Sequence, residues 1–129
     1  MITKRERDCL MALYENGGLT LSRMSKKLSI KPPTAYELAK KLVSSNLIEK
    51  DENNVLRLTE KGAKKSEEIE FKHRVLETLM FNNGGDLEGA CEECKKIDYM
   101  LDDRLAHEIY EGMKKPCICP HGKPIKEVR

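Results

Sequence analysis

Residues 20–44 read TLSRMSKKLSIKPPTAYELAKKLVS, and this stretch decides the fold. Leu21, Met24 and Leu28 fall on one side of a short helix that opens at Thr20. Ser29-Ile30-Lys31 makes a tight turn. Pro32 and Pro33 then stand in the first turn of a new helix, where a missing N–H removes no intrahelical hydrogen bond. That helix runs to about Ser44 with Ala35, Leu38, Ala39 and Leu42 as its apolar stripe. Two amphipathic helices joined by a short turn make a helix-turn-helix.

The flanks sharpen this reading. Upstream, residues 4–15 place Leu10, Leu13 and Tyr14 at helical spacing, and Asn16-Gly17-Gly18 ends that helix. Downstream, residues 47–50 and 55–58 are strand-like runs separated by Asp51-Glu52-Asn53-Asn54, a turn sequence. A β-hairpin directly after a helix-turn-helix makes a winged helix. Thr59 caps a long helix, Glu60 complements its dipole, and Ile69, Val75, Leu76 and Leu79 continue its apolar face until Asn82-Asn83-Gly84-Gly85. Two more helices fit residues 86–100 and 102–113, and a tail broken by Pro116, Pro120 and Pro124 reads as extended. The expected fold is mainly α, with a winged helix-turn-helix over 1–62 and a helical dimerisation and metal-binding domain over 63–129.

Composition sets limits on function. Of 129 residues, 36% are charged, 5% are aromatic and none is Trp, so Leu, Ile, Val and Met must supply the burial. No run approaches the roughly 20 apolar residues of a membrane helix, and the N-terminus MITKRERDCL has no apolar signal core. A soluble, cytoplasmic chain without a membrane partner is expected. The net charge of +2 divides into +6 over residues 1–65 and −4 over residues 66–129, which suits a polyanion partner for the first half. Five cysteines in a chain without a secretory signal point to metal or redox chemistry rather than a disulfide framework.

The second helix of the helix-turn-helix is the candidate reader of double-stranded DNA. Lys31, Pro32, Pro33, Thr34, Tyr36 and Glu37 open it and would meet base edges and backbone, with Lys40 and Lys41 near phosphates. Ser22, Arg23, Lys26 and Lys27 on the preceding helix, and Arg57 at the hairpin, add candidate phosphate contacts. Leu87, Ile97, Leu101, Leu105 and Ile109 give residues 86–113 apolar positions without a basic patch, so a homodimer is expected through them.

Two constellations carry metal chemistry. His73 and Glu77 stand four residues apart on the long helix, so imidazole and carboxylate share a face, which suits a divalent transition metal, although such a pair by itself is more often an ordinary hydrogen bond. Cys91-x2-Cys94 and Cys117-x-Cys119, with His121 two residues on, offer four thiolates, which suit structural zinc or an iron–sulfur cluster. Reversible dithiol oxidation is a further reading of the same residues. Cys9 reads as a partly buried thiol, and His107 is given no role.

The winged helix, long linking helix and two short helices are followed by Cys119-Pro120-His121-Gly122-Lys123-Pro124-Ile125. With Lys72-His73-Arg74-Val75-Leu76-Glu77, that order resembles the diphtheria toxin repressor and manganese transport regulator family. The resemblance spans Asp8 to Ile125 and matches short members lacking the C-terminal SH3-like domain. It implies a dimeric repressor, not an enzyme, that binds near-palindromic operators under control of iron, manganese or zinc. It also implies that His73, Glu77 and Cys91 are ligands of one site, the thiolate replacing the usual imidazole and favouring zinc or ferrous iron. Asp8 and Asp98 match ligands of the family's other site, but Lys95 and Tyr99 depart from its pattern, so a degenerate second site is expected. A cation at the hinge would fix two recognition helices one DNA turn apart. The same scaffold with a cysteine-held cluster or dithiol as iron or redox sensor is the alternative. A metal carrier or thiol enzyme is a third reading, against which stands the lack of a nucleophile–base pair or a phosphate-cradling Gly loop.

Overall fold

The computed structural model describes residues 1–128 and divides into two compact units, Ile2–Ser66 and the chain from Glu67 onward. The mainly α fold with an N-terminal winged helix is as expected.

In the first unit, α1 (Lys4–Asn16) starts in a reciprocal cap: Glu6 N–H donates to Thr3 Oγ1 at 3.2 Å and Thr3 N–H to Glu6 Oε1 at 3.0 Å. β1 (Leu19–Thr20) leads into α2 (Leu21–Leu28), and α3 (Pro32–Ser44) follows with both prolines in its first turn. Leu10, Leu13, Met24, Leu42 and Ile48 are the large buried side chains of this unit. Cys9 is fully rather than partly buried, its Sγ 3.0 Å from Met24 Sδ.

β2 (Ile48–Lys50) and β3 (Val55–Leu58) form the expected hairpin, Ile48 opposite Leu58. The structure adds β1 on the far side of β3, Leu19 opposite Leu56, for a three-stranded antiparallel sheet in the order β1-β3-β2. Two residues carry no readable alternation, so β1 exists only through its partner. Asp51 builds the wing turn, its Oδ1 accepting from the N–H groups of Asn53 (2.8 Å) and Val55 (3.0 Å).

α4 (Glu60–Asn82) begins under a Thr59 cap, whose Oγ1 accepts from Gly62 N–H at 3.0 Å. A Cβ on Gly62 would lie 1.9 Å from the Leu47 carbonyl oxygen, so only glycine lets the helix start this close to the wing strand.

In the second unit, α4 continues and is followed by α5 (Leu87–Ile97) and α6 (Asp103–Gly112). The single helix expected over 86–100 ends at Ile97 (φ −130°), where a 3-10 turn over Asp98–Met100 tightens the backbone and buries Asp98. The tail is a small hairpin rather than a plain extended strand. Cys119 N–H donates to Lys123 O, Ile125 N–H to Cys117 O, and Gly122 N–H closes a tight turn on Cys119 O, with Gly122 at φ +80°. Pro120 occupies the turn position that favours its fixed φ. The core of the unit joins Phe71, Val75, Ala106, Tyr110, Cys119 and Ile125, with Leu101 and Ile109 packed against it. Ile97 and Leu105 stay exposed. No helix among the described residues is long and apolar enough to cross a membrane.

Candidate metal centre and nucleic-acid interface

Helical periodicity puts His73 and Glu77 one turn apart on α4, and burial then makes them chemically unusual. Glu77 is 1% exposed, yet its Oε2 has no hydrogen-bond partner. A buried carboxylate oxygen without a donor is costly unless a cation answers it. His73 Nε2 lies 3.3 Å from that oxygen, and Cys91 Sγ from α5 lies 3.6 Å from the same nitrogen.

Asp98, fully buried at the 3-10 turn, orients the ring. Its Oδ2 lies 3.0 Å from His73 Nδ1, so Nδ1–H donates to the carboxylate and Nε2 is the nitrogen turned toward Glu77. Nε2 and Glu77 Oε2 then face each other across 3.3 Å, a gap that a shared cation, proton or metal, would fill. A carboxylate behind a ring nitrogen whose other nitrogen meets a further donor is the arrangement of a metal-ligating histidine. Sequence reading placed Asp98 as a remnant of another site; here it orients His73.

A second group meets the other side of the same carboxylate. The tail turn delivers His121 Nδ1 to 2.7 Å from Glu77 Oε1 and buries Cys119 beside them. The ligand atoms of His73, Glu77 and Cys91 lie within 4.8 Å of one another, as do those of Glu77, Cys119 and His121. Sequence reading does not place His121 beside Glu77, although it singles out Cys119-Pro120-His121-Gly122 as a motif. The signal that would have found it is the turn potential of that motif, which folds the tail back.

The four cysteines are not drawn into one group among the described residues. Cys94 is buried on the inner side of α5 with Sγ 3.8 Å from Met80 Sδ, and Cys117 is exposed on the tail hairpin. Cys91, three residues earlier on the same helix, is half-buried with Sγ 3.6 Å from His73 Nε2. Burial, with the charges of Glu77 and Asp98 adding to it, pushes the Cys94 thiol up to about 12. Burial also raises the Cys91 thiol, against the opposing pull of the Lys95 ammonium and with the Glu77 carboxylate adding to the rise.

The other matched positions hold ordinary interactions. Asp8 is paired with Lys4 at 2.7 Å and Arg7 at 3.1 Å. Lys95 pairs with Glu92 at 3.2 Å. His107 Nδ1 lies 2.8 Å from Glu127 Oε2.

On the winged unit, Lys31, Pro33, Tyr36, Glu37 and Lys40 of the α3 region are exposed and Thr34 is half-buried, while Ala35, Leu38, Ala39 and Leu42 face the core. Arg23 and Lys27 on α2 are exposed as well. α3 thus separates an apolar seam from a polar face able to enter a groove. Arg57 is committed locally: Nε donates to Asp51 Oδ2 at 3.0 Å and Nη1 to Gly17 O at 2.8 Å.

Comparison with known proteins matches two family models along the chain. Residues 59–127 match the family described as iron dependent repressor, metal binding and dimerisation domain, and residues 2–55 match the MarR family. An uncharacterised HTH-type transcriptional regulator of Aeropyrum pernix is 30% identical over 122 residues, covering 90% of this chain and 68% of the relative. A hypothetical protein of Sulfolobus solfataricus shares the structure with a TM-score of 0.83 and 31% identity, over 98% of this chain and all of that one (100%). The manganese regulator SloR superposes with a TM-score of 0.87 and 25% identity; this chain is covered to 98% but spans only 61% of SloR.

Proposed function

The chain belongs to the iron dependent repressor family of DNA-binding transcriptional regulators, and from that premise we propose that it is a repressor whose operator affinity is set by a divalent transition metal at Glu77. One observation carries the metal: Glu77 Oε2 is buried without a hydrogen-bond partner, and His73 Nε2 faces it at 3.3 Å. His73, Glu77 and Cys91 would hold the ion. Imidazole, carboxylate and thiolate together suit zinc or ferrous iron better than manganese, which favours oxygen donors. An iron–sulfur cluster needs a fuller thiolate set, and Cys94 and Cys117 lie outside both donor groups.

The ion supplies positive charge that satisfies the buried carboxylate. The residues then do the mechanical work. Asp98 keeps the His73 lone pair aimed inward, and Cys91 ties α5 to α4. α4 (Glu60–Asn82) carries both His73 and Glu77, so an ion there would order that turn of the helix. Dimerisation through residues 86–113, where Ile97 and Leu105 are exposed, would present two α3 helices to a palindromic operator about 34–36 Å per turn. The protein acts in the cytoplasm on this reading and catalyses no reaction.

The test is DNA binding by fluorescence anisotropy, on sites selected from a random pool. Zn2+ or anaerobic Fe2+ should tighten binding at least tenfold over chelator, and His73→Ala should remove the difference while leaving helix content intact. Identical affinity in metal and in chelator would overturn the proposal.

A further inference from the structure

We propose that Glu77 is a bridging carboxylate and that the helical unit holds two metal ions, one against each of its oxygens. This rests on the metal reading above and extends it to the tail.

Glu77 Oε2 faces His73 and Cys91; Glu77 Oε1 faces His121 at 2.7 Å, with Cys119 beside them. The two groups are chemically alike, each with one imidazole nitrogen, one sulfur and one oxygen of the shared carboxylate. An ion bonded to nitrogen, oxygen or sulfur at about 2.0–2.3 Å holds donors no further apart than about twice that length. Within each group the ligand atoms meet that limit, lying within 4.8 Å of one another, but the His73–Cys91 pair and the His121–Cys119 pair fall in different groups. Without rearrangement, one ion cannot use both pairs. Glu77 alone belongs to both, and two-metal sites hold their ions about 3.5–4 Å apart, a span that one carboxylate can bridge.

Charge points the same way. Cys91 and Cys119 as thiolates and Glu77 as carboxylate supply three negative charges, with Asp98 a fourth behind His73. One divalent ion leaves an excess of negative charge in a buried place; two match it. The unpartnered Oε2 shows the carboxylate held ready on one side. On the other, His121 has 36% of its side chain exposed, so Nε2 can carry the ring proton toward water while the Nδ1 lone pair turns to the ion. The Cys119–Gly122 turn and the burial of Cys119 against Phe71 and Val75 fix the tail donors in place.

The experiment is equilibrium dialysis of the full chain against Zn2+, and against Co2+ for spectroscopy. Two ions per chain are expected at saturation. His121→Ala and Cys119→Ser should each leave one, and Cys91→Ser should remove the other. The first of these alters an exposed residue and so tests the tail ion without threatening the core. Glu77→Gln should abolish the magnetic coupling that a bridge imposes on two bound Co2+ ions. One ion per chain that survives His121→Ala and Cys119→Ser but is lost with Cys91→Ser would overturn the bridge and leave the metal-regulator reading standing. Two ions that are uncoupled and indifferent to Glu77→Gln would likewise overturn it. No ion bound at all would overturn both.

Discussion

Asp98 Oδ2 accepts a hydrogen bond from Nδ1–H of His73 across 3.0 Å, and so fixes which ring nitrogen is turned toward Glu77. The pair joins residues 25 positions apart, one on a long helix and one at a 3-10 turn. Without Asp98 the ring could place its proton on Nε2 and donate to Glu77, closing the centre with an ordinary hydrogen bond. With it, Nδ1 keeps its proton, and Nε2 is the nitrogen left to meet a cation beside Glu77.

Asp98→Asn should therefore weaken metal binding by roughly 10- to 100-fold, the usual effect of losing a charged partner behind a histidine ligand. Asn retains an acceptor but not the charge that makes the imidazole a better donor to metal. Competition against a chromophoric chelator measures the change. Unaltered affinity would mean that Asp98 does not tune the ligand.

The thiols should separate in reactivity. Cys9, raised to about 12 by burial and then by Glu6 and Asp8, and Cys94, also raised to about 12, hold almost no thiolate near neutral pH. Cys117 is exposed. Alkylation followed by peptide mass spectrometry should modify Cys117 first and leave Cys9 and Cys94 unmodified until denaturant is added. Added Zn2+ should protect Cys91 more than Cys117. Early labelling of Cys94 would contradict its packing against Met80.

Lys40→Ala should weaken binding on every DNA sequence and lower the salt dependence of log K by about one ion, the outcome expected if this exposed lysine of α3 meets phosphate rather than bases. Thr34 and Glu37, nearer the start of α3, should alter sequence preference instead. Salt titrations on a selected and a random duplex distinguish the two effects. Equal losses on both duplexes for all three substitutions would remove α3 as the reader.

Much of this was legible in the chain because it is local. The α2–turn–α3 segment shows its period over 25 residues, and His73 with Glu77 needs only the pitch of one helix. What was hidden depends on distant partners. β1 is two residues long and is defined by β3, some 35 residues away. His121 reaches Glu77 across 44 positions, through a turn whose backbone bonds no hydrophobic period reports. Cys91 and Cys94 look equivalent as a Cys-x2-Cys pair and share one side of the helix, yet tertiary packing parts them, Cys91 Sγ meeting His73 Nε2 and Cys94 Sγ lying buried against Met80 Sδ.

Acid should loosen the wing through Asp51. Its carboxyl is held below the ordinary 3.8, first by the Val55 amide and then by Arg57, with burial opposing them and the Asn53 amide adding a further downward pull. A depressed folded-state pKa means that the ionised form is favoured by folding. The stabilisation is therefore complete above the unfolded value near 3.8 and is lost as pH falls through the lower folded value. Protonation weakens the acceptor that holds Asn53 and Val55 and releases Arg57, which also anchors Gly17 O. NMR titration should give a midpoint for Asp51 below 3.8, with the Val55 amide losing exchange protection over the same range. Asp51→Asn keeps an oxygen for the two amides but has nothing to titrate, so its wing should show no such transition. A wild-type midpoint at or above the ordinary carboxyl value would mean that the turn does not hold the ionised form.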